Sequence, residues 1–137
     1  MILLQNSIIK LDYSPATDIL EVDYPDLHGF LLPEIKHTIN KLVDTIRNYD
    51  IKKVLLDSTK TIISVSEEDS QEIAAYLAAG IMKTRVQKLA RVQSSSPRVE
   101  TTAQANIRHI HESLSLPFQL QNFASKPDAI KWLVGNL

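Results

Sequence analysis

From Pro33 onward the apolar residues of this 137-residue chain change rhythm repeatedly, and that alternation is the strongest constraint on its fold. Ile35, Ile39, Leu42, Val43 and Ile46 keep the three-and-four spacing that lines one face of a helix. Pro33 is tolerated in the first turn of that helix, and Asp50 lies beyond its end. Lys53-Val54-Leu55-Leu56-Asp57 is then a short apolar run between polar residues, the mark of a strand buried within a sheet. The helical rhythm returns through Ile73, Leu77 and Ile81, yields to Leu89-Ala90-Arg91-Val92, and returns at Ala103, Ile107, Ile110 and Leu114. Residues 118–123 alternate as a strand, and Ile130, Trp132 and Leu133 dock a last helix that stops at Gly135.

The first residues keep a different period. Ile8, Ile9, Leu11 and Tyr13 lead into the turn set Ser14-Pro15-Ala16-Thr17-Asp18, and Ile19, Leu20, Val22 and Tyr24 carry a second β-rich run. Leu20, Val22 and Tyr24 alternate with Glu21 and Asp23, as an antiparallel strand with one wetter face would. Helix starts are marked by Ser66 with Asp69 three residues on, by Ser96-Pro97, and by Ser125 ahead of Pro127 and Asp128. The predicted order is ββαβαβαβα: an α/β fold with a mixed five-stranded sheet covered by helices, its later crossovers parallel and right-handed.

The length is that of one ordinary domain, spanning residues 1–137, and 44% hydrophobic with 23% charged residues is close to the globular norm. With no cysteine there is no disulfide framework, thiolate metal cage or cysteine nucleophile. No apolar stretch is long enough to span a membrane, and Met1–Asn6 is too short for the apolar region of a signal peptide, so a cytoplasmic location is expected. Residues 1–72 hold thirteen acids and seven Lys or Arg, and residues 73–137 hold three acids and eight Lys or Arg, so the halves stand at −6 and +5. The run Lys83, Arg85, Lys88, Arg91, Arg98 contains no acid. Such a run either faces anions or is neutralised when folding mixes the halves.

Two loops carry the candidate chemistry. Asp57-Ser58-Thr59 follows a buried strand, at the carboxyl ends where open α/β sheets collect ligands. Asp57 there accepts a ligand hydroxyl or helps hold a cation, or else caps its own loop. Ser94-Ser95-Ser96-Pro97-Arg98 joins a strand end to a helix start, where free N–H groups and the helix dipole attract anions. It lacks glycine, so it is no phosphate-cradling P-loop. If the two strands are neighbours, both loops share one sheet edge and one crevice.

Metal, catalytic and nucleic-acid signals are weak. His109 and His111 lie about 200° apart around a helix and cannot share a metal; His28 precedes Gly29 in a loop, and His37 sits on the first helix. No serine occupies a nucleophile elbow, so no catalytic residue, metal or cofactor is expected. A pI near 6.4 with 6% aromatics gives no nucleic-acid signature.

The element order resembles the SpoIIAA-like branch of the STAS fold, itself similar in architecture to CRAL-TRIO lipid-binding domains. The residues that carry it are Val54-Leu55-Leu56-Asp57, Lys88-Leu89-Ala90-Arg91-Val92 and the closing stretch Phe123-Ala124-Ser125-Lys126-Pro127-Asp128-Ala129-Ile130-Lys131-Trp132-Leu133. STAS antagonists of anti-sigma factors carry a phosphorylatable serine opening the second helix, and the resemblance places it at Ser70, after Asp69. Gln71 and Glu72 stand where that motif has a small residue and glycine, and Ser70 shares the stripe of Ala74, Leu77 and Ile81. The resemblance implies a non-enzymatic binding or regulatory module that engages a protein partner in signalling, with self-association as a homodimer also in view. The small-residue helix 66–85 is the surface expected to matter. The alternative is a small-molecule binder, holding an apolar or anionic ligand in the crevice at the carboxyl ends of the central strands. A third reading is an enzyme built on Asp57.

Overall fold

The computed structural model describes residues 1–24, 30–61 and 65–135. Its elements are β1 (Ile2–Gln5), β2 (Lys10–Ser14), β3 (Ile19–Asp23), α1 (Leu32–Asn48), β4 (Lys53–Asp57), α2 (Glu67–Ile81), β5 (Lys88–Val92), α3 (Pro97–Ser113), β6 (Gln119–Phe123) and α4 (Lys126–Val134). They form one sheet in the order β1-β2-β3-β4-β5-β6, antiparallel at its first two pairings and parallel from β3 to β6. The mixed α/β arrangement is as expected.

The sheet has six strands rather than the predicted five. The additional one is β1, whose apolar run Ile2-Leu3-Leu4 is short and whose pairing with β2 is broken by a bulge between Ile2 and Leu4, which erases the alternation that marks a strand. Asn6 folds it back: its side-chain oxygen accepts from the N–H groups of Ile8 and Ile9 at 2.8 and 2.9 Å. Ile8 and Ile9 therefore belong to this turn, buried in the core, and β2 begins at Lys10.

Register assigns each strand residue to a face. Leu20, Val54, Leu89 and Leu120 form one transverse row, and with Leu11, Val22 and Leu56 they meet the apolar stripes of α1 and α2. The opposite face carries Ile19, Leu55, Ala90 and Val92, which pack with Ala129 and Leu133 of α4. Every parallel crossover moves the chain one strand onward in the same direction, and crossovers of one hand then leave their helices on one side. Serines cap three helices as expected: Ser66 accepts from the N–H of Asp69 at 3.2 Å, Ser96 from Val99 and Ser125 from Asp128, both at 3.4 Å.

The small residues of α2 serve its position between α1 and α3. A Cβ on Gly80 would stand 2.7 Å from Val43 Cγ2 of α1, so glycine sets how closely these two helices approach. Gly80→Val is expected to destabilise the fold by about 1–3 kcal/mol through this overlap, despite removing a glycine from the last turn of α2. The loss should shrink when Val43→Ala is added. Urea unfolding of the two single variants and the double variant reads this directly, as a coupling between the sites.

Candidate functional site

Parallel pairing of β4 with β5 brings the two predicted loops side by side. The N–H of Ser58 donates to Val92 O at 3.1 Å, and the Ser94 hydroxyl donates to the Thr61 carbonyl. Thr61 in turn donates from its hydroxyl to the Tyr24 carbonyl, so the β3, β4 and β5 ends are laced together. Asp57 Oδ1 accepts from the N–H of Thr59 at 3.0 Å and from its hydroxyl at 2.6 Å. Ser58 and Ser94 are buried, Ser96 is half-buried at its cap, and Ser95 and Arg98 are exposed. Among the described residues no salt bridge engages Arg98.

The strongest polar constellation of this edge is a pair that the sequence reading did not single out. Arg91 sits in the row Val22–Leu56–Arg91–Asn122, on the face covered by α2 and α3. Its guanidinium grips Glu100 of α3 with both terminal nitrogens, at 2.9 and 2.7 Å, and Nη1 also donates to Asn122 Oδ1 at 3.3 Å. Glu100 accepts from the N–H of Ser94 at 2.8 Å as well. The two side chains are only 11% and 19% exposed, so water screens them little. A signal did exist: an Arg inside a buried apolar strand needs a carboxylate, and Glu100 is the only acid between Ile73 and His111.

Two more members of the basic run are met in space. Arg85 pairs with Asp50 at 3.6 Å, and Lys88 donates to the carbonyls of Trp132 and Gly135 at the end of α4, at 2.9 and 2.7 Å. Lys126 bridges to Glu21 at 2.9 Å, across the two halves of the chain.

Beneath α2 and α3 lies a cavity of about 160 Å³. Its floor is the sheet at Leu56, Leu89 and Leu120, with Arg91 and Tyr24 at one end and Leu116 and Phe118 at the other. Burial pushes the Tyr24 phenol up to about 12, with the Arg91 charge acting the other way. Ser70 lies on the wall, turned inward, and its hydroxyl accepts from Asn106 Nδ2 of α3 at 2.9 Å. Asn106 also faces an open polar groove on the outer side, where α2 and α3 diverge at Glu67, Gln71, Thr101, Ala105 and Arg108. His37, His109 and His111 are exposed, while His28 lies outside the described residues. No group of three or more metal-ligating side chains occurs among the described residues. No described helix is long and apolar enough to cross a membrane.

No family model and no curated protein matches the sequence. Solved structures do. An uncharacterised DUF3478-family protein with a SpoIIAA-like fold from Shewanella loihica PV-4 superposes with a TM-score of 0.56 at 14% identity, over 95% of this chain and 98% of that one. The fold is SpoIIAA-like. A chain from the complex of the diguanylate cyclase SiaD with its activator SiaC, from Pseudomonas aeruginosa, is more distant: TM-score 0.46 and 15% identity over 90% of this chain and 99% of that one.

Within this SpoIIAA-like fold the Arg91–Glu100 pair gives the edge a pH dependence. Burial raises the Glu100 carboxyl, but hydrogen bonds from Arg91 and the Ser94 amide, with the Arg91 charge, outweigh it and hold the group below its ordinary 4.5. The pair's contribution is therefore present above the unfolded chain's value and is lost as pH falls through the lower folded one. Glu100→Gln is expected to cost about 1–3 kcal/mol at neutral pH and to flatten the decline of stability below about pH 4.5. Urea unfolding of both proteins at pH 7 and pH 4 measures both effects.

Proposed function

We propose that this chain is a non-enzymatic regulatory module that engages a protein partner across the α2–α3 groove, with Ser70 as its point of control. The observation that carries the reading is the Ser70–Asn106 hydrogen bond, which ties the start of α2 to the middle of α3 beneath that groove. A phosphate on Ser70 would add a charge of about −1.5 to −2 where a hydroxyl now accepts from Asn106. Glu67, Glu68 and Asp69 precede it on the same helix, so the helix N-terminus would attract that charge while three neighbours repel it. Relief lies in parting α2 from α3, which reshapes the groove between Gln71 and Ala105. The resemblance to STAS antagonists of anti-sigma factors, whose phosphorylatable serine opens the second helix, supports this reading.

Two variants test it. Ser70→Glu should loosen α3 against α2, and Ala105→Trp should block the groove from its exposed side. Affinity capture from the native host should retain a stoichiometric partner on the unaltered protein, lose it with Ala105→Trp, and weaken it at least tenfold with Ser70→Glu. Capture indifferent to both variants would refute the reading, and so would the absence of any retained protein.

A further inference from the structure

The cavity under α2 and α3 has a chemistry of its own, independent of any partner at the groove above it. Its wall is mostly aliphatic: α2 contributes Ile73, Leu77 and Ile81, and α3 contributes Ala103, Ile107 and Ile110, with Ser70, Thr102 and Asn106 among them. A dry apolar cavity of about 150 Å³ is large enough for a benzene-sized molecule, and water gains nothing by entering where partners are scarce. Tyr24, Ser58 and Arg91 line one end, while Ser70 and Asn106 on the wall are already bonded to each other. The charge of Arg91 is already matched by the two-pronged Glu100 contact. A second anion there would crowd two carboxylates onto one guanidinium. A neutral hydrogen-bonding group would not.

We propose that this cavity is a binding site for a compact, neutral, mostly apolar molecule of about six to ten non-hydrogen atoms, aromatic or branched, whose single polar atom faces Tyr24, Ser58 and Arg91. The apolar body rests on Leu56, Leu89 and Leu120 and is roofed by α3. Ala103 and Ala74 supply the clearance, because larger side chains there would occupy the same space.

The test uses the full chain with labelled isoleucine methyl groups and three probes: indole, p-cresol and benzoate. Indole and p-cresol are expected to give saturable NMR shifts at Ile73, Ile107 and Ile110, with Kd on the order of a millimolar or below, and none at Ile35 or Ile46 on the α1 side. Benzoate should bind at least tenfold more weakly. Ala103→Leu should abolish the shifts, and Ala74→Leu serves the same purpose should the first variant fail to fold. Absence of saturable shifts overturns the proposal. Shifts that survive both filled variants place binding elsewhere, and benzoate binding best overturns the neutral-ligand assignment.

Discussion

The grip of Arg91 on Glu100 is the contact from which the functional end of this molecule takes its shape. It joins the middle of β5 to the first turn of α3, and through Asn122 and the Ser94 amide it also holds β6 and the intervening loop. An apolar residue at Arg91 would have continued the row begun by Val22 and Leu56 and let α3 settle lower. A buried ion pair contributes little net stability compared with good apolar packing, but breaking one partner is costly. Its effect here is positional: α3 is held at its N-terminal end by charge and along its length by α2, and the space beneath it stays open.

Topology explains why that space lies where it does. A sheet that adds strands in one direction sends α1, α2 and α3 to the same side, and three helices must cover the rows of six strands. α1 and α2 are drawn close by Gly80 against Val43. The slack therefore falls to α3, whose inward residues are small or only half-buried at Thr102, Ala103, Asn106 and Ile107. On the other face α4 alone packs on Ala90, a residue small enough to admit it, while Lys88 holds its last carbonyls.

Much of this was legible in the residues. The alternation of periods gave the order of elements, serines marked three helix starts, and the resemblance pointed to a SpoIIAA-like fold before any coordinates. β1 escaped because a bulge hides its alternation, and its one clue was the Asn6 turn. Whether the loops at 57–59 and 94–98 are neighbours was open in the residues, and the pairing of β4 with β5 sets them side by side. The loop-capping alternative for Asp57 describes its bond to Thr59, a local contact; the bond of Ser94 to Thr61 could not be read, because it depends on how β4 and β5 pair. The cavity was illegible for a deeper reason. A void is a property of how far apart helices stand, and Ala103 or Ile107 carry the same periodic signal whether the space beneath them is filled or not.

The central claim is that the Arg91–Glu100 contact fixes the seat of α3 beyond its share in the stability of the whole domain. Hydrogen–deuterium exchange on the Arg91→Met variant measures this most directly. Amides of residues 93–113 should lose at least tenfold more protection than those of β3, β4 and α1, whose loss tracks the global destabilisation. Unchanged protection along α3, or an even loss across the entire chain, would contradict the account.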